Sequence, residues 1–399
     1  MRSPPEAARR GPAPKTTTTG APTVEALGAR VLEFPTDVPE ADGTFAWDRT
    51  TMVLAQAHGG GATGLGYAYG DRATAGVITG LLHDVVVGRP VLDVPAANEA
   101  MSRAVRNAGR PGLVAGAVSA VDIALWDLKA RLLELPLADL LGRARTDVPV
   151  YGSGGFTTYT DRRLAEQLDG WAGQGITRFK IKIGEGRGTR ERRDLERTER
   201  ARALAGDDAE LYVDANGAYT RKQAVRIGRA LDGMGVGWFE EPVSSDDLTG
   251  LAQVRDTVAA DVAAGEYGYD LPYFARMIPA VDCLQADATR CGGITVWLRA
   301  AALAEAHGLQ LSGHCAPHLH AHAAAAVPNL RHQEWFHDHV RIENLLFEGV
   351  LDPAGGTVRP GRGGEPGLGL TIRPDVADRH RVRGPSAGTG PTGPEGTRR

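Results

Sequence analysis

Between about residue 146 and residue 345, short apolar runs alternate with longer amphipathic stretches. The runs at 148–153, 178–183, 210–214, 237–240, 261–265, 283–287, 309–313 and 332–335 read as strands, each followed by a helical pattern. Eight such units predict a (β/α) barrel or a close variant with its last helix altered. Upstream the rhythm differs. Strands are predicted at Val24–Phe34, Thr51–Gln56 and Leu65–Tyr69, with Gly59-Gly60-Gly61 turning the chain between the last two. Helices follow at about 72–87, 96–108 and 113–134. In the last, Val114, Val118, Val121, Leu125, Leu128 and Leu132 recur at steps of three and four, which defines one buried face. The stretch Thr36–Thr44 is too polar and acidic for a core and reads as a loop between the first two strands.

The fold class is therefore α/β, with a small α+β domain at 23–142 and a barrel at 143–345. The Gly/Pro-rich segment 346–383 contains Pro366-Gly367-Leu368-Gly369-Leu370, read as a return onto the first domain. Residues 1–22, rich in Pro, Ala, Thr and Arg, and the low-complexity stretch 384–399 are expected to be disordered.

Three of the predicted strands end on a carboxylate at equal intervals. Asp214, Glu240 and Glu266 are each 26 residues from the next, the length of one strand–turn–helix unit. A closed parallel barrel brings equivalent strand ends to one face, where three carboxylates repel one another unless a cation sits among them. Oxygen donors of that kind suit a hard divalent ion, read here as Mg²⁺. On an earlier strand, Lys180 and Lys182 flank Ile181. Strand alternation puts both lysines on one face and the isoleucine on the other, so the amines look into the barrel. A like-charged neighbour disfavours protonation, which is one route to a lysine acting as a base near neutral pH; a surface pair on an edge strand is the plainer alternative.

Asp287 and His314 end the sixth and seventh runs, and a carboxylate behind an imidazole fixes its tautomer. Glu334, among aromatic neighbours, reads as a carboxyl with a raised pKa facing the site or as an outward-facing glutamate. Asn216 and Glu241 stand beside the metal candidates, in position to support them. His320 and His322 read as structural, and no ligand spacing emerges from the other nearby histidines.

Composition narrows the partners. A net charge of −4 gives no basic surplus for nucleic acid, no apolar run approaches a membrane span, and three cysteines are too few for a disulfide framework. A cytoplasmic protein acting on a small molecule is expected.

Taken together, Lys180, Lys182, Asp214, Glu240, Glu266, Asp287, His314 and Glu334 resemble the enolase superfamily, specifically its mandelate racemase subgroup. The helix Ser119-Ala120-Val121-Asp122-Ile123-Ala124-Leu125-Trp126-Asp127-Leu128-Lys129 and the turn Cys291-Gly292-Gly293-Ile294-Thr295 extend the likeness, which spans about 24–375. The resemblance implies an α+β capping domain over a modified TIM barrel, (β/α)7β, and one Mg²⁺ held by Asp214, Glu240 and Glu266. It implies Lys182 as the base on one substrate face with Lys180 supporting it, His314 paired with Asp287 on the other face, and Glu334 on the substrate carboxylate. It also implies a lid over the substrate, matched by position to Thr36–Trp47, with Asp37, Glu40, Asp42, Thr44 and Trp47 as candidate contacts. A homo-oligomer, dimer to octamer, is the family habit.

Such a site abstracts the proton next to a carboxylate. If the substrate carries a β-hydroxyl, loss of water follows and a 2-keto-3-deoxy acid forms; the acidic lid favours that outcome, dehydration of an aldonate or aldarate. The alternative is racemisation or epimerisation of a 2-hydroxy or amino acid, which the lid aromatics Phe45 and Trp47 would suit. An inactive barrel acting as a binding protein, or a Schiff-base aldolase on Lys182, are the remaining readings.

Overall fold

The computed structural model describes residues 20–382. The arm expected at 1–22 and the tail expected at 384–399 fall almost wholly outside that range. Pro22 lies inside it and is part of the fold, its carbonyl accepting from the Val91 amide at 2.9 Å.

The first domain is an antiparallel sheet of β1 (Ala26–Ala41), β2 (Ala46–Gly59) and β3 (Ala62–Tyr69) in sequential order. Gly60 and Gly61 turn β2 into β3 with φ of 59° and 79°, the left-handed pair that a tight hairpin requires. The helix Leu113–Leu132 crosses this sheet so closely that a Cβ on Gly66 would lie 2.1 Å from the Ala120 carbonyl oxygen. One buried face was expected of that helix. It is instead buried nearly all round, including Ser119, Asp122 and Asp127, because the sheet covers one side and the barrel the other. Its two aspartates are the fasteners. Asp122 accepts from the Asn98 side chain at 2.8 Å and from the Thr295 amide and hydroxyl at 3.0 and 2.6 Å. Asp127 accepts from the Leu65 amide at 2.7 Å and the Leu368 amide at 2.6 Å, so the Pro366–Leu370 stretch does return to this domain.

The stretch Thr36–Thr44 is a loop only at its tip, Asp42–Thr44. β1 runs on to Ala41, with a register shift between Pro35 and Glu40, and pairs again as Glu40↔Trp47 and Ala41↔Ala46. Asp42 closes the tip by accepting from the amides of Thr44 (2.5 Å) and Phe45 (2.7 Å). Asp42-Gly43 is a hairpin-turn signal, and the acidity of the segment hid it.

The barrel comprises β4 (Val148–Gly154), β5 (Arg178–Lys182), β6 (Glu210–Asp214), β7 (Val236–Glu240), β8 (Asp261–Ala264), β9 (Cys283–Ala286), β10 (Gln310–Gly313) and β11 (Leu330–Phe336). Neighbours pair in parallel throughout, and β11 pairs with β4 to close the ring. Helices connect each strand to the next, so the architecture is a capping domain plus a modified TIM barrel. Ile181, Val213 and Phe239 point outward and pack beneath the helices in a large buried core. The register that follows sets the site: Lys182 pairs with Asp214, and Asp214 with Glu240, on one rung across three strands. Among the described residues no helix is long and apolar enough to cross a membrane.

Candidate active site

The same alternation that turns Ile181 outward turns Lys180 and Lys182 into the barrel, where both are buried. Lys180 donates to Glu240 Oε1 at 2.5 Å and approaches Glu334 Oε1 at 2.8 Å; Lys182 donates to Asp214. Asp214 and Glu240 end β6 and β7, and Glu266 follows β8 across Gly265. Only glycine fits there: its φ is 135°, and a Cβ would meet the Gln285 carbonyl oxygen at 2.1 Å. The three carboxylates each offer an oxygen within 4.8 Å of the others.

On the far wall, His314 after β10 bonds Asp287 after β9, Nδ1 to Oδ2, at 2.8 Å. Its Nε2 faces Glu266 Oε2 at 3.1 Å. Burial works against a charged His314, but the neighbouring Cys315, Glu266 and Glu334 outweigh it and hold the imidazole well above its usual range, so Nε2 carries a proton toward the buried Glu266 Oε2. Glu334 on β11 accepts from Ser153 at 2.6 Å through Oε1 and from the Cys315 amide at 2.9 Å through Oε2.

The electrostatics correct two expectations. Burial works against a charged Lys182, and so does Lys180, but the carboxylates of Asp214, Glu240 and Glu266 together outweigh both and hold the ammonium above its usual range. Like charge therefore does not make Lys182 a base here; a cation neutralising Asp214, Glu240 and Glu266 would remove what holds its proton. Glu334 was expected to be raised. Burial does push it up, but Lys180, His314 and Lys182 pull harder, and it sits below the usual carboxylate range as an acceptor. Burial pushes Glu240 up to about 8 in spite of Lys180, with Asp214 and Glu334 adding to the effect. Three carboxylates within 4.8 Å of one another, oxygen donors alone, fit a hard divalent cation.

Asn216 and Glu241 take left-handed backbone (φ 44° and 37°) directly beyond the strand ends, and the Asn216 amide donates to Asp214 Oδ1 at 2.8 Å. Burial pushes the Glu241 carboxyl well up, with Glu266 and Asp214 adding to it. Of the lid candidates, Asp42 and Trp47 reach the cavity, as does Phe45. Asp37, Glu40 and Thr44 do not line it. Asp37 is held by Arg163 at 2.5 Å, Thr44 bonds Asp42, and Glu40 lies fully buried behind the Trp47 indole, which donates to it at 2.9 Å.

The sequence matches two family profiles: Mandelate racemase / muconate lactonizing enzyme, N-terminal domain, over residues 32–142, and Enolase C-terminal domain-like over residues 163–376. The chain belongs to the mandelate racemase/muconate lactonizing enzyme family. It is 33% identical over 324 residues to L-talarate/galactarate dehydratase of Salmonella typhimurium, covering 78% of each chain. Its structure superposes on a mandelate racemase/muconate lactonizing enzyme-like protein from Rubrobacter xylanophilus with a TM-score of 0.88 at 52% identity, covering 90% of this chain and 100% of that one. A racemase from Streptomyces coelicolor A3(2), solved with bound magnesium, gives 0.84 at 30% identity over 90% of this chain and 100% of its own. The protein is thus an enzyme of the enolase superfamily.

Several residues of this family member's cavity escaped sequence reasoning. Arg290 reaches Glu266 at 3.1 Å and Asp287 at 3.4 Å, tying the metal candidates to the imidazole pair. It adjoins the Cys291-Gly292-Gly293 turn, which was the available signal. Cys315 follows His314 and lines the cavity with Tyr69, Tyr267 and His339. His339 stacks on Tyr69 with ring centroids 3.4 Å apart, a pairing between barrel and cap that no local pattern announces. His320 and His322 are structural in fact: His320 Nε2 accepts from the Ala288 amide at 2.7 Å, and His322 bridges the Ala138 amide and the Leu368 carbonyl, both at 3.2 Å.

Proposed function

We propose that the enzyme is a Mg²⁺-dependent hydro-lyase that dehydrates a sugar acid, an aldonate or aldarate, to a 2-keto-3-deoxy acid. One observation carries the reading. Lys182 and His314, the latter backed by Asp287, open into a single cavity of about 520 Å³ from β5 and β10, separated by β11 and β4 on one side and by β6 to β9 on the other. Two proton carriers thus flank one carboxylate-lined space. Asp214, Glu240 and Glu266 would hold the cation, which supplies positive charge where the substrate's carboxylate oxygens become more negative.

Lys182, or His314 for the opposite configuration, removes the proton from the carbon next to the substrate carboxylate. The electrons of that C–H bond pass into the carboxylate, giving an enediolate. As they return to form a carbon–carbon double bond, the β C–O bond breaks and the imidazolium of His314 delivers its Nε2 proton to the departing hydroxide, releasing water. The enol then tautomerises to the keto acid. Asp287 keeps the Nδ1 proton in place and stabilises the charged ring. Lys180 stands behind the site, bonded to Glu240 and Glu334. The polar lining from Asp42, Thr50, Thr51 and Asp338 suits a polyhydroxylated chain.

Proton carriers from both sides also support racemisation, which needs no β-hydroxyl. Incubation with a panel of aldonates and aldarates plus Mg²⁺, followed by detection of 2-keto acid as its semicarbazone, tests the first reading. Deuterium incorporation from solvent with no keto product across the panel would replace it with the second.

A further inference from the structure

His314, Cys315 and Glu334 form a tight triangle. His314 Nε2 lies 3.2 Å from Cys315 Sγ, Cys315 Sγ 3.4 Å from Glu334 Oε2, and His314 Nε2 3.7 Å from Glu334 Oε2. A tetrahedral zinc with bonds of about 2.0–2.1 Å to nitrogen, 2.3 Å to sulfur and 2.0–2.2 Å to oxygen requires ligand–ligand edges of roughly 3.3–3.6 Å. The three atoms therefore stand close to ligating separation without a cation being invoked to place them.

Three independent features favour coordination. Asp287 engages Nδ1 and aims Nε2 at the triangle, the carboxylate–histidine arrangement that orients a metal-binding ring. Ser153 and Lys180 hold the other oxygen of Glu334, so Oε2 is fixed toward the triangle. Cys315 and the following Ala316 both take left-handed backbone, with φ of 51° and 36°, and this unusual pair turns Sγ inward.

We propose that His314, Cys315 and Glu334 form a second cation site, selective for a thiophilic divalent ion of the zinc class and distinct from the three-carboxylate site. Thiolate and imidazole donors discriminate against Mg²⁺, which prefers oxygen. On binding, the thiol proton and the His314 Nε2 proton pass to solvent, and the sulfur and the nitrogen take the metal in their place. An occupant engages the Nε2 lone pair, so it blocks proton transfer at His314; that consequence rests on the function proposed above, whereas the site itself does not.

Co²⁺ serves as the probe, added at one equivalent to the full chain with Mg²⁺ in saturating excess. The expected result is a near-ultraviolet thiolate-to-cobalt charge-transfer band that Zn²⁺ abolishes by displacement. Cys315→Ser should lose the band and bind Zn²⁺ at least about 100-fold more weakly, beyond the roughly 10–100-fold loss typical of an outer partner of a metal ligand. Zinc X-ray absorption on the unmutated protein, which needs no variant to fold, should show one sulfur neighbour. A cobalt spectrum without the band, a zinc shell without sulfur, or a band that survives in Cys315→Ser would each overturn the site. If the band appears and Zn²⁺ leaves turnover unaffected, the inhibitory role falls. If no sugar acid is turned over, the band still decides the site on its own.

Discussion

Glu40 sits at the second pairing of the lid hairpin, fully buried, with one oxygen accepting from Trp47 and the other, Oε1, without a partner. Burial, with Asp338 adding to it, raises its carboxyl from an ordinary 4.5 to about 9. The folded state therefore holds Glu40 neutral while the unfolded chain ionises it. Below about pH 4.5 both states are protonated and nothing is lost. As pH rises from there toward 9, the unfolded state is favoured by about 1.4 kcal/mol per unit. At pH 8 this reaches about 5 kcal/mol, an upper bound because undocking the hairpin tip hydrates the carboxylate at lower cost. Glutamine has the shape of the neutral acid and keeps the bond from Trp47. Glu40→Gln should therefore raise the melting temperature slightly at pH 5 and by several degrees at pH 8. Scanning calorimetry at half-unit intervals, with Mg²⁺ constant, checks this. A gap between the two proteins that stays level or narrows as pH rises would show that Glu40 is ionised in the folded protein, and the account of the lid would fail.

Lys182→Ala and His314→Asn should each lower turnover by about 10³-fold or more, the upper part of the range for a lost proton carrier, while Mn²⁺ binding followed by electron paramagnetic resonance stays intact. Unaltered turnover in both removes the mechanism. Asp214→Asn should weaken that Mn²⁺ binding and make activity demand far more Mg²⁺; equal affinity in calorimetric titration would place the ion elsewhere. Gly66→Ala forces a methyl group against the Ala120 carbonyl, which cannot retreat without moving the whole helix. It should cost about 2–3 kcal/mol, seen as a lower melting temperature with little change in KM at permissive temperature.

Periodicity carried much of the architecture. The equal spacing of Asp214, Glu240 and Glu266 survives folding because each unit of strand, turn and helix advances the barrel by one rung, so equal intervals in sequence become neighbouring positions in space. Alternation likewise settled the inward direction of Lys180 and Lys182, which depends only on the pleat. The hairpin at Asp42-Gly43 was misjudged because acidity was weighed above turn chemistry. Arg290 and Cys315 were passed over although they adjoin singled-out residues, since nothing local reveals that their side chains turn into the cavity.

Charge state lay beyond any local pattern. Lys180 meets Glu240 and Glu334, and His314 meets Asp287 and Glu266, across strands that are remote in sequence. Burial and Coulomb interaction depend on those separations, which fix whether Lys182 is an ammonium, whether Glu334 accepts or donates, and whether Glu40 ionises at all. The chain's own order determined the rungs and which residue stands at the end of each. Closing the ring decided the rest, because only closure sets the distances between groups on different rungs and excludes the water that would otherwise screen them.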